Sequence, residues 1–460
     1  MIGTFSLGEL VQVLDARLEG ADGTGVRVGR VSTDTRRIQP GDLFVALRGE
    51  NFDAHDFVDQ ARSQGAIAAV VERLLPLDLP QLVVADSRLA LGAIAQYNRT
   101  FFAGSLIAVT GSSGKTTVKE MLATILSGAG QTLATRGNLN NDIGVPLTLF
   151  ELEQQHRYAV IEMGASGPGE IDYVCRLARP DVAVLNNAFG AHLEGFGSLE
   201  GVVRAKGEIF NGLNAGGTAI VNADDPHAHI WLRQLEERRV LSFGIERSDV
   251  DVTAQGLFLQ PSGCHGFDLV LGGQSAAVQL KVLGRHNVAN ALAAAAAAFA
   301  AGLEPSLIVR GLERFEAVAG RMKPRSGVAG CQVIDDSYNA NPASVKAAID
   351  VLASLPGKRA LVLGDMAELG ADAAQQHADI GVYAAAAGLD HFYATGPLCR
   401  HAIAAYSAEA GLDGRDFDSR AELTGALITL AHAQLTLLIK GSRSAAMDQV
   451  VSGLTQGESH

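Results

Sequence analysis

The residues Thr110-Gly-Ser-Ser-Gly-Lys-Thr-Thr117 have the types and spacing of a loop that wraps a phosphate chain. Gly111 and Gly114, flanking Ser112 and Ser113, let backbone N–H groups turn toward phosphate oxygens. Lys115 is long enough to reach the terminal phosphates, and the hydroxyl of Thr116 or Thr117 can hold Mg2+. An apolar run ends at Val109 and a helical pattern begins at Val118. The loop therefore leads from a strand into a helix N-terminus, whose partial positive charge adds to the attraction. The full pattern asks for a further glycine five positions before Gly114; Val109 stands there, so the loop is a shortened variant.

A nucleotide bound with Mg2+ needs further oxygen ligands, because the ion prefers an octahedral shell shared with phosphates. Glu162 follows the run Tyr158-Ala-Val-Ile161, and His192 follows the run Asp181-Val-Ala-Val-Leu185. Residues after successive parallel strands emerge along the carboxyl edge of a sheet, where open α/β folds bind ligands. Two such residues after successive strands favour a metal site over two unrelated surface side chains.

These residues need a parallel sheet to position them. Between about 105 and 245, the runs Leu106-Ile-Ala-Val109, Tyr158–Ile161, Asp181–Leu185, Thr218-Ala-Ile-Val221 and Val240-Leu-Ser-Phe243 alternate with helical patterns, which predicts an α/β domain covered on both faces. Gly272-Gly273 between apolar runs predicts an antiparallel hairpin attached to it. A second alternating block, with strands predicted at Gln332-Val-Ile334, Arg359–Leu363, His391–Ala394 and Leu435–Ile439 and a helix over 342–355, reads as a Rossmann-like domain. Before residue 104, strands at Leu43–Leu47 and Leu82–Val84 and helices near 54–64 and 87–102 predict a smaller α/β unit. The fold class is thus α/β in three domains: 1–104, a central P-loop domain over 105–317 with a mostly parallel sheet, and 318–460.

Composition narrows the function classes. With 37 basic against 50 acidic residues and no basic stripe, a long nucleic-acid partner is excluded as an expectation. Cys175, Cys264, Cys331 and Cys399 lie far apart with no C-x-x-C pair, so neither a zinc site nor a disulfide framework is indicated. The N-terminal residues lack a basic segment followed by an apolar one, so no export signal is read and a cytoplasmic location is expected. The alanine-rich stretch Ala289–Ala301 contains Asn290 and stops at Gly302, too short for a membrane span; it reads as a packed helix.

The phosphate loop is followed in order by Asn138-Leu-Asn-Asn-Asp-Ile-Gly-Val-Pro146, Glu162-Met-Gly164, Ala205-Lys-Gly-Glu-Ile-Phe210, Asn222-Ala-Asp-Asp-Pro226, Gly284-Arg-His-Asn-Val-Ala-Asn290, Gly320-Arg321 and Asp335-Asp-Ser-Tyr-Asn-Ala-Asn-Pro342. This ordered set, which spans all but the ends of the chain, resembles the signatures of the Mur ligase family. Asp335–Pro342, Leu363-Gly-Asp-Met-Ala-Glu-Leu369 and Lys440-Gly-Ser-Arg-Ser-Ala-Ala-Met447 are similar to the family member that uses D-alanyl-D-alanine, and the Asp-Asn-Pro-Arg motif of the diamino-acid-adding member is missing.

The resemblance implies an ATP-dependent amide-bond ligase that joins D-Ala-D-Ala to UDP-MurNAc-tripeptide through an acyl phosphate, with two Mg2+ ions, acting as a monomer. It implies that Lys115 and the loop amides hold ATP, with Asn287 and Asn290 on the adenine side. Thr116, Glu162, His192 and a carbamylated Lys206 would serve the metal ions. Asp224 is a conceivable ribose contact or a simple Asx turn. Arg321, expected where the second and third domains meet, either bridges a γ-phosphate or makes an interdomain salt bridge. Asp336, Tyr338, Asn339 and Asn341 begin the last domain and join the closed site, with Asp336 on the ATP side. Asn138, Asn140 and Asn141 would contact substrate. Ser32, Thr33, Asp34, Thr35 and Arg36 resemble the segment that anchors the UDP group, with Arg36 able to pair bidentately with a pyrophosphate.

Overall fold

Short runs of β-branched and aliphatic residues become buried strands, and the amphipathic segments between them cover the sheets. The computed structural model describes residues 1–455 except 21, 22, 50, 51, 191, 192, 236 and 409–411. Its fold is mixed α/β, with three larger sheets in chain order and one two-stranded ribbon among the described residues.

The first large sheet has five strands in the order Arg17–Glu19, Gln81–Val83, Ala68–Val71, Asp42–Val45, Arg30–Ser32, parallel except for the first pair. The helix Ser87–Thr100 leaves it, with Asp86 capping the N–H groups of Arg88 and Leu89. This helix joins two domains. Its apolar side belongs to one core that runs from Phe5 and Leu43 through Leu91 and Ile94 to Leu149, Ile171 and Trp231.

The central sheet has nine strands in the order Gln274–Leu283, Cys264–Leu271, Val252–Leu259, Arg239–Gly244, Thr218–Asn222, Val182–Leu185, Ser105–Thr110, Tyr158–Glu162, Thr132–Ala134. Pairing is parallel from Val252–Leu259 to Thr132–Ala134, and antiparallel in the hairpin. The hairpin turns at Gly272 and Gly273, with φ of 58° and 75°, the double left-handed turn that two glycines permit. The alanine-rich segment forms the helix Arg285–Ala300, whose buried methyl groups pack in one core with Val118, Met121, Leu122 and Ile125 of the helix Lys115–Leu126.

The third sheet runs Lys323–Ser326, Gln332–Asp336, Leu435–Lys440, Lys358–Gly364, His391–Thr395, Asp413–Phe417, parallel except at the first strand. Two of its strands are unmarked in the sequence for physical reasons. Lys323–Ser326 carries Pro324, tolerated at an edge, and Asp413–Phe417 is a polar outer strand with no apolar run. Contact with the central domain comes through Cys264 and Leu283 of the hairpin, which share a core with Leu352 and Leu355.

Arg99 fastens the first domain to the second. Its guanidinium donates to the carbonyls of Ala178 (2.8 Å), Phe102 (3.1 Å) and Arg179 (3.0 Å), and is nearly enclosed. Removing it leaves three carbonyls without that donor. We predict that Arg99→Ala lowers the free energy of unfolding by about 2–4 kcal/mol in denaturant titrations, whereas an exposed control such as Arg247→Ala changes it by less than about 0.5 kcal/mol.

Candidate active site

Parallel register brings the phosphate loop and its acidic neighbour together. Val109 pairs with Glu162 on one side, and Thr110 pairs with Leu185 on the other, so the loop, Glu162 and Asn186-Asn187 all emerge at one carboxyl edge. The chain crosses from one side of the Ser105–Thr110 strand to the other at this point, the place where open sheets form a crevice.

Asparagines hold the loop in shape. The Ser112 N–H donates to Asn187 O (3.0 Å) and the Ser113 N–H to Asn187 Oδ1 (2.9 Å). Asn186 Nδ2 donates to Ser113 O (3.1 Å) and to Asn290 Oδ1 (2.9 Å). Asn290 donates to Asn287 Oδ1 (2.8 Å), and Asn287 donates to Leu283 O (2.8 Å). Gly114 has φ of 77°, and a Cβ there would lie 2.4 Å from Asn290 Oδ1, so both conformation and space require glycine. The Val118 N–H donates to Gly114 O, leaving the amides at the start of this helix as the donors an anion takes. Lys115 donates to Gly111 O (2.8 Å); burial lowers its pKa, with the charge of Glu162 opposing.

Glu162 is 2% exposed. Its N–H donates to Thr135 Oγ1 (3.0 Å), and Lys119 fixes that neighbour by donating to Thr135 O (2.7 Å). Oε1 accepts from Asn140 Nδ2 (2.9 Å), while Oε2 is buried with no hydrogen-bond partner among the described residues. A buried anionic oxygen without a donor, beside a phosphate loop, fits a hard divalent cation. Lys206, on the helix Leu199–Gly207, is 1% exposed and makes no hydrogen bond or ion pair among the described residues. Its ammonium lies 5.3 Å from the ring centroid of Phe196. Burial, followed by repulsion from Lys115, brings its pKa down to about 7. His192 lies outside the described residues.

The opposite wall comes from the third domain. Asp336 pairs with Lys440 and Leu363 with Lys440 across three adjacent parallel strands, so the segments at 335–342, 363–369 and 440–447 share a carboxyl edge. Asp335 and Asp336 accept the N–H groups of Gly320 (3.0 Å) and Met322 (3.2 Å), shaping the turn that carries Arg321. Lys440 donates to Asp336 Oδ2 (2.6 Å) and Asn339 O (2.9 Å). The Arg321 guanidinium lies 4.1 Å from the Tyr338 ring centroid and donates to Thr116 Oγ1 (3.3 Å), reaching across to the phosphate loop. Its contact at this junction is thus a hydroxyl and an aromatic face.

A cavity of about 610 Å³ lies between the two walls. It gathers Ser112, Ser113, Gly114, Lys115, Thr116, Asn138, Asn140, Asn141, Glu162, Arg321, Tyr338, Asn339 and Asn341. Asn287, Asn290, Lys206 and Asp336 are buried and absent from its lining, and Gly111 and Thr117 are absent from it too. Ser32–Arg36 lies apart at the edge of the first sheet, where Asp34 caps the turn Thr35–Arg37 and Arg36 pairs with Asp34 (2.8 Å). The Asp224 carboxylate accepts from Ile245, Glu246 and Arg247 N–H groups, a turn-capping role.

Sequence reasoning marked the segments that hold Glu368, Lys440, Ser442 and Arg443 without giving these residues a role, and it did not single out Asn186 and Asn187. The polar pair after the strand at 182–185 and the polar segment after that at 435–440 were the available signals. A separate cluster, Asp365, His377 and Cys399, is closed to a metal. His377 Nε2 accepts from Met366 N–H, its Nδ1 faces Ala373 O, and burial holds the Cys399 thiol well above its ordinary pKa.

Comparison with known proteins agrees with this architecture. Residues 27–97 match the Mur ligase family catalytic domain, 109–298 the Mur ligase middle domain, and 320–443 the Mur ligase glutamate ligase domain. UDP-N-acetylmuramoyl-tripeptide--D-alanyl-D-alanine ligase of Escherichia coli (strain K12) is 47% identical over 452 residues, covering 98% of each chain. The chain belongs to the Mur ligase family. A crystal structure of MurF from Acinetobacter baumannii superposes with a TM-score of 0.92 at 39% identity, covering 99% of this chain and 100% of that one. The MurF ligase of Thermotoga maritima, solved in complex with ADP, gives a TM-score of 0.83 at 30% identity over 92% of this chain and 96% of that one. No described helix is long and apolar enough to cross a membrane.

The asparagine network makes a prediction for this Mur ligase. Asn290→Ala deletes the acceptor of Asn186 Nδ2 and loosens the loop from behind; nucleotide affinity is expected to fall by about 1–3 kcal/mol in a fluorescent-nucleotide titration. Unchanged affinity would show that the loop holds its shape without that support.

Proposed function

We propose that this chain is an ATP-dependent ligase that adds D-alanyl-D-alanine to UDP-N-acetylmuramoyl-tripeptide, releasing ADP and phosphate. The observation that carries the reading is the shared cavity, in which Arg321 of one wall touches Thr116 of the phosphate loop in the other. A phosphoryl group bound there faces the carboxyl edge of the third domain. The names of the similar proteins supply the substrates.

A carboxylate is a poor electrophile, so amide formation requires a better leaving group. An oxygen of the tripeptide's terminal carboxylate attacks the γ-phosphorus of ATP, the bond to the ADP oxygen breaks, and an acyl phosphate results. The dipeptide nitrogen then attacks the acyl carbon, phosphate departs with the bonding pair, and the nitrogen loses its proton. Lys115, the amides at the start of the helix Lys115–Leu126 and Arg321 offset the charge on the transferred group. Asn138, Asn140 and Asn141 line the side where the peptide carboxylate enters, and Asn140 also orients Glu162. Tyr338, Asn339 and Asn341 line the acceptor side. This route needs no side-chain nucleophile. Asn287 and Asn290 act on ATP through the loop they brace, and Asp336 acts through Arg321 and Lys440.

Thr116, Glu162, His192 and Lys206 are the proposed ligands of two Mg2+ ions, which when bound offset phosphate charge. A pKa near 7 leaves a large share of Lys206 as the neutral amine at neutral pH. Neutral amine plus CO2 gives a carbamate and a proton, converting the lysine into a long carboxylate. The proposed division is 1–104 for the UDP substrate, with Ser32–Arg36 as its anchor, 105–317 for ATP, and 318–460 for the dipeptide. The setting is the cytoplasm and the state a monomer, with no nucleic-acid partner.

ADP release in the presence of UDP-MurNAc-tripeptide should depend on D-Ala-D-Ala. Stimulation by a diamino acid or glutamate, with none by the dipeptide, would overturn the reading. For Lys206, 13C NMR with labelled bicarbonate should show a carbamate signal that grows as pH rises through about 7, because the reactive form is the deprotonated amine. Lys206→Ala should abolish that signal and reduce turnover on the order of 100-fold, partly restored by a short carboxylic acid. Full activity of the alanine variant without added acid excludes the carbamate role.

A further inference from the structure

The acceptor dipeptide carries a free carboxylate as well as its reacting amine, and that negative charge must be balanced within the cavity. Most cations there are already engaged within the protein. Lys115 donates to Gly111 O, Lys440 is paired with Asp336, and Arg321 reaches Thr116. Arg443 differs from them. It lines the same cavity, and among the described residues its guanidinium has one contact, the face of Tyr338 at 5.6 Å from the ring centroid.

The loop that presents Arg443 is built in advance. Ser442, 2% exposed, donates its N–H (3.0 Å) and its hydroxyl (2.6 Å) to Asp365 O on the neighbouring loop. The Ala445 N–H closes a turn on Ser442 O (3.0 Å), and Ala446 sits at φ of 49° to end it. The backbone under Arg443 is therefore held, while no hydrogen bond among the described residues takes up its guanidinium donors.

We propose that Arg443 reads the terminal carboxylate of the incoming dipeptide and so sets acceptor specificity; this rests on the ligase reading of the same cavity. A guanidinium fork matches a carboxylate with two parallel hydrogen bonds, and the Tyr338 ring, 5.6 Å away, offers the cation an aromatic face. The span also fits. Arg321 and Arg443 both lie over the Tyr338 ring, 4.1 and 5.6 Å from its centroid, so their separation cannot exceed the total of those distances. An extended dipeptide reaches at most about 7 Å. With its carboxylate on Arg443, its amine is carried toward Arg321 and the phosphate loop.

The test uses the full chain, with ADP release measured at saturating ATP and UDP-MurNAc-tripeptide. Arg443→Gln should raise KM for D-Ala-D-Ala about 10- to 100-fold, with KM for ATP and for the UDP substrate within about twofold of wild type. Arg443→Lys keeps the charge, loses the fork, and should fall between. D-alanyl-D-alaninamide, which lacks the carboxylate, should be a poorer acceptor than the dipeptide for wild type by about tenfold or more, and equal to it for Arg443→Gln. An Arg443→Gln variant that still discriminates against the amide, or whose defect falls on ATP, overturns the assignment. Absence of any dipeptide-dependent turnover in the wild type sinks the ligase reading itself, a separate failure visible before any variant is made.

Discussion

The parallel pairing of Val109 with Glu162 is the constraint on which the site depends. Parallel neighbours end at the same edge, so a loop designed for anions and a carboxylate of the same charge as its ligand are forced into proximity. Such a pair is unfavourable unless cations lie between them. Lys115 and the helix N-terminus supply part of that charge, and Glu162 Oε2, without a hydrogen-bond partner among the described residues, marks where more positive charge is needed. Lys206, buried nearby with its pKa brought down to about 7, adds only part of a positive charge at neutral pH.

The walls of the cavity differ in how firmly they are set. One continuous core unites the first domain with the parallel part of the central sheet, and Arg99 stitches backbone carbonyls across the join. The third domain touches the second through the hairpin end, at Cys264 and Leu283, and through the polar contact of Arg321 with Thr116. Apolar packing lies at the hairpin end and a polar contact at the phosphate loop, so this junction is held by two different kinds of interaction.

Much of this was legible in the sequence because its signals are local. The phosphate loop declares itself within eight residues, the Gly272-Gly273 turn within two, and Glu162 by its place after an apolar run. Burial and long-range bonding are not local. Lys206 reads as any helical surface lysine until three-dimensional packing encloses it. Asn287 and Asn290, implied on the adenine side by resemblance, have their amide groups bonded inside the protein, to Leu283, Asn186 and each other. Asn290 lies 104 positions from Asn186, and no periodicity encodes such a bond. Arg443 sits in a segment that the sequence marks, but its nearness to Tyr338 comes from the order of strands in the third sheet.

The alanine-rich helix Arg285–Ala300 sets a limit on how this site can vary over time. Ala291 and Ala293 through Ala298 are fully enclosed against the helix that follows the phosphate loop and the sheet below. A larger side chain would push those layers apart by overpacking, and glycine would forfeit about 1 kcal/mol of helix propensity. Substitution is penalised in both directions. The loops at the cavity rim carry no such double penalty, so side chains there can change while the spacing behind the phosphate stays the same.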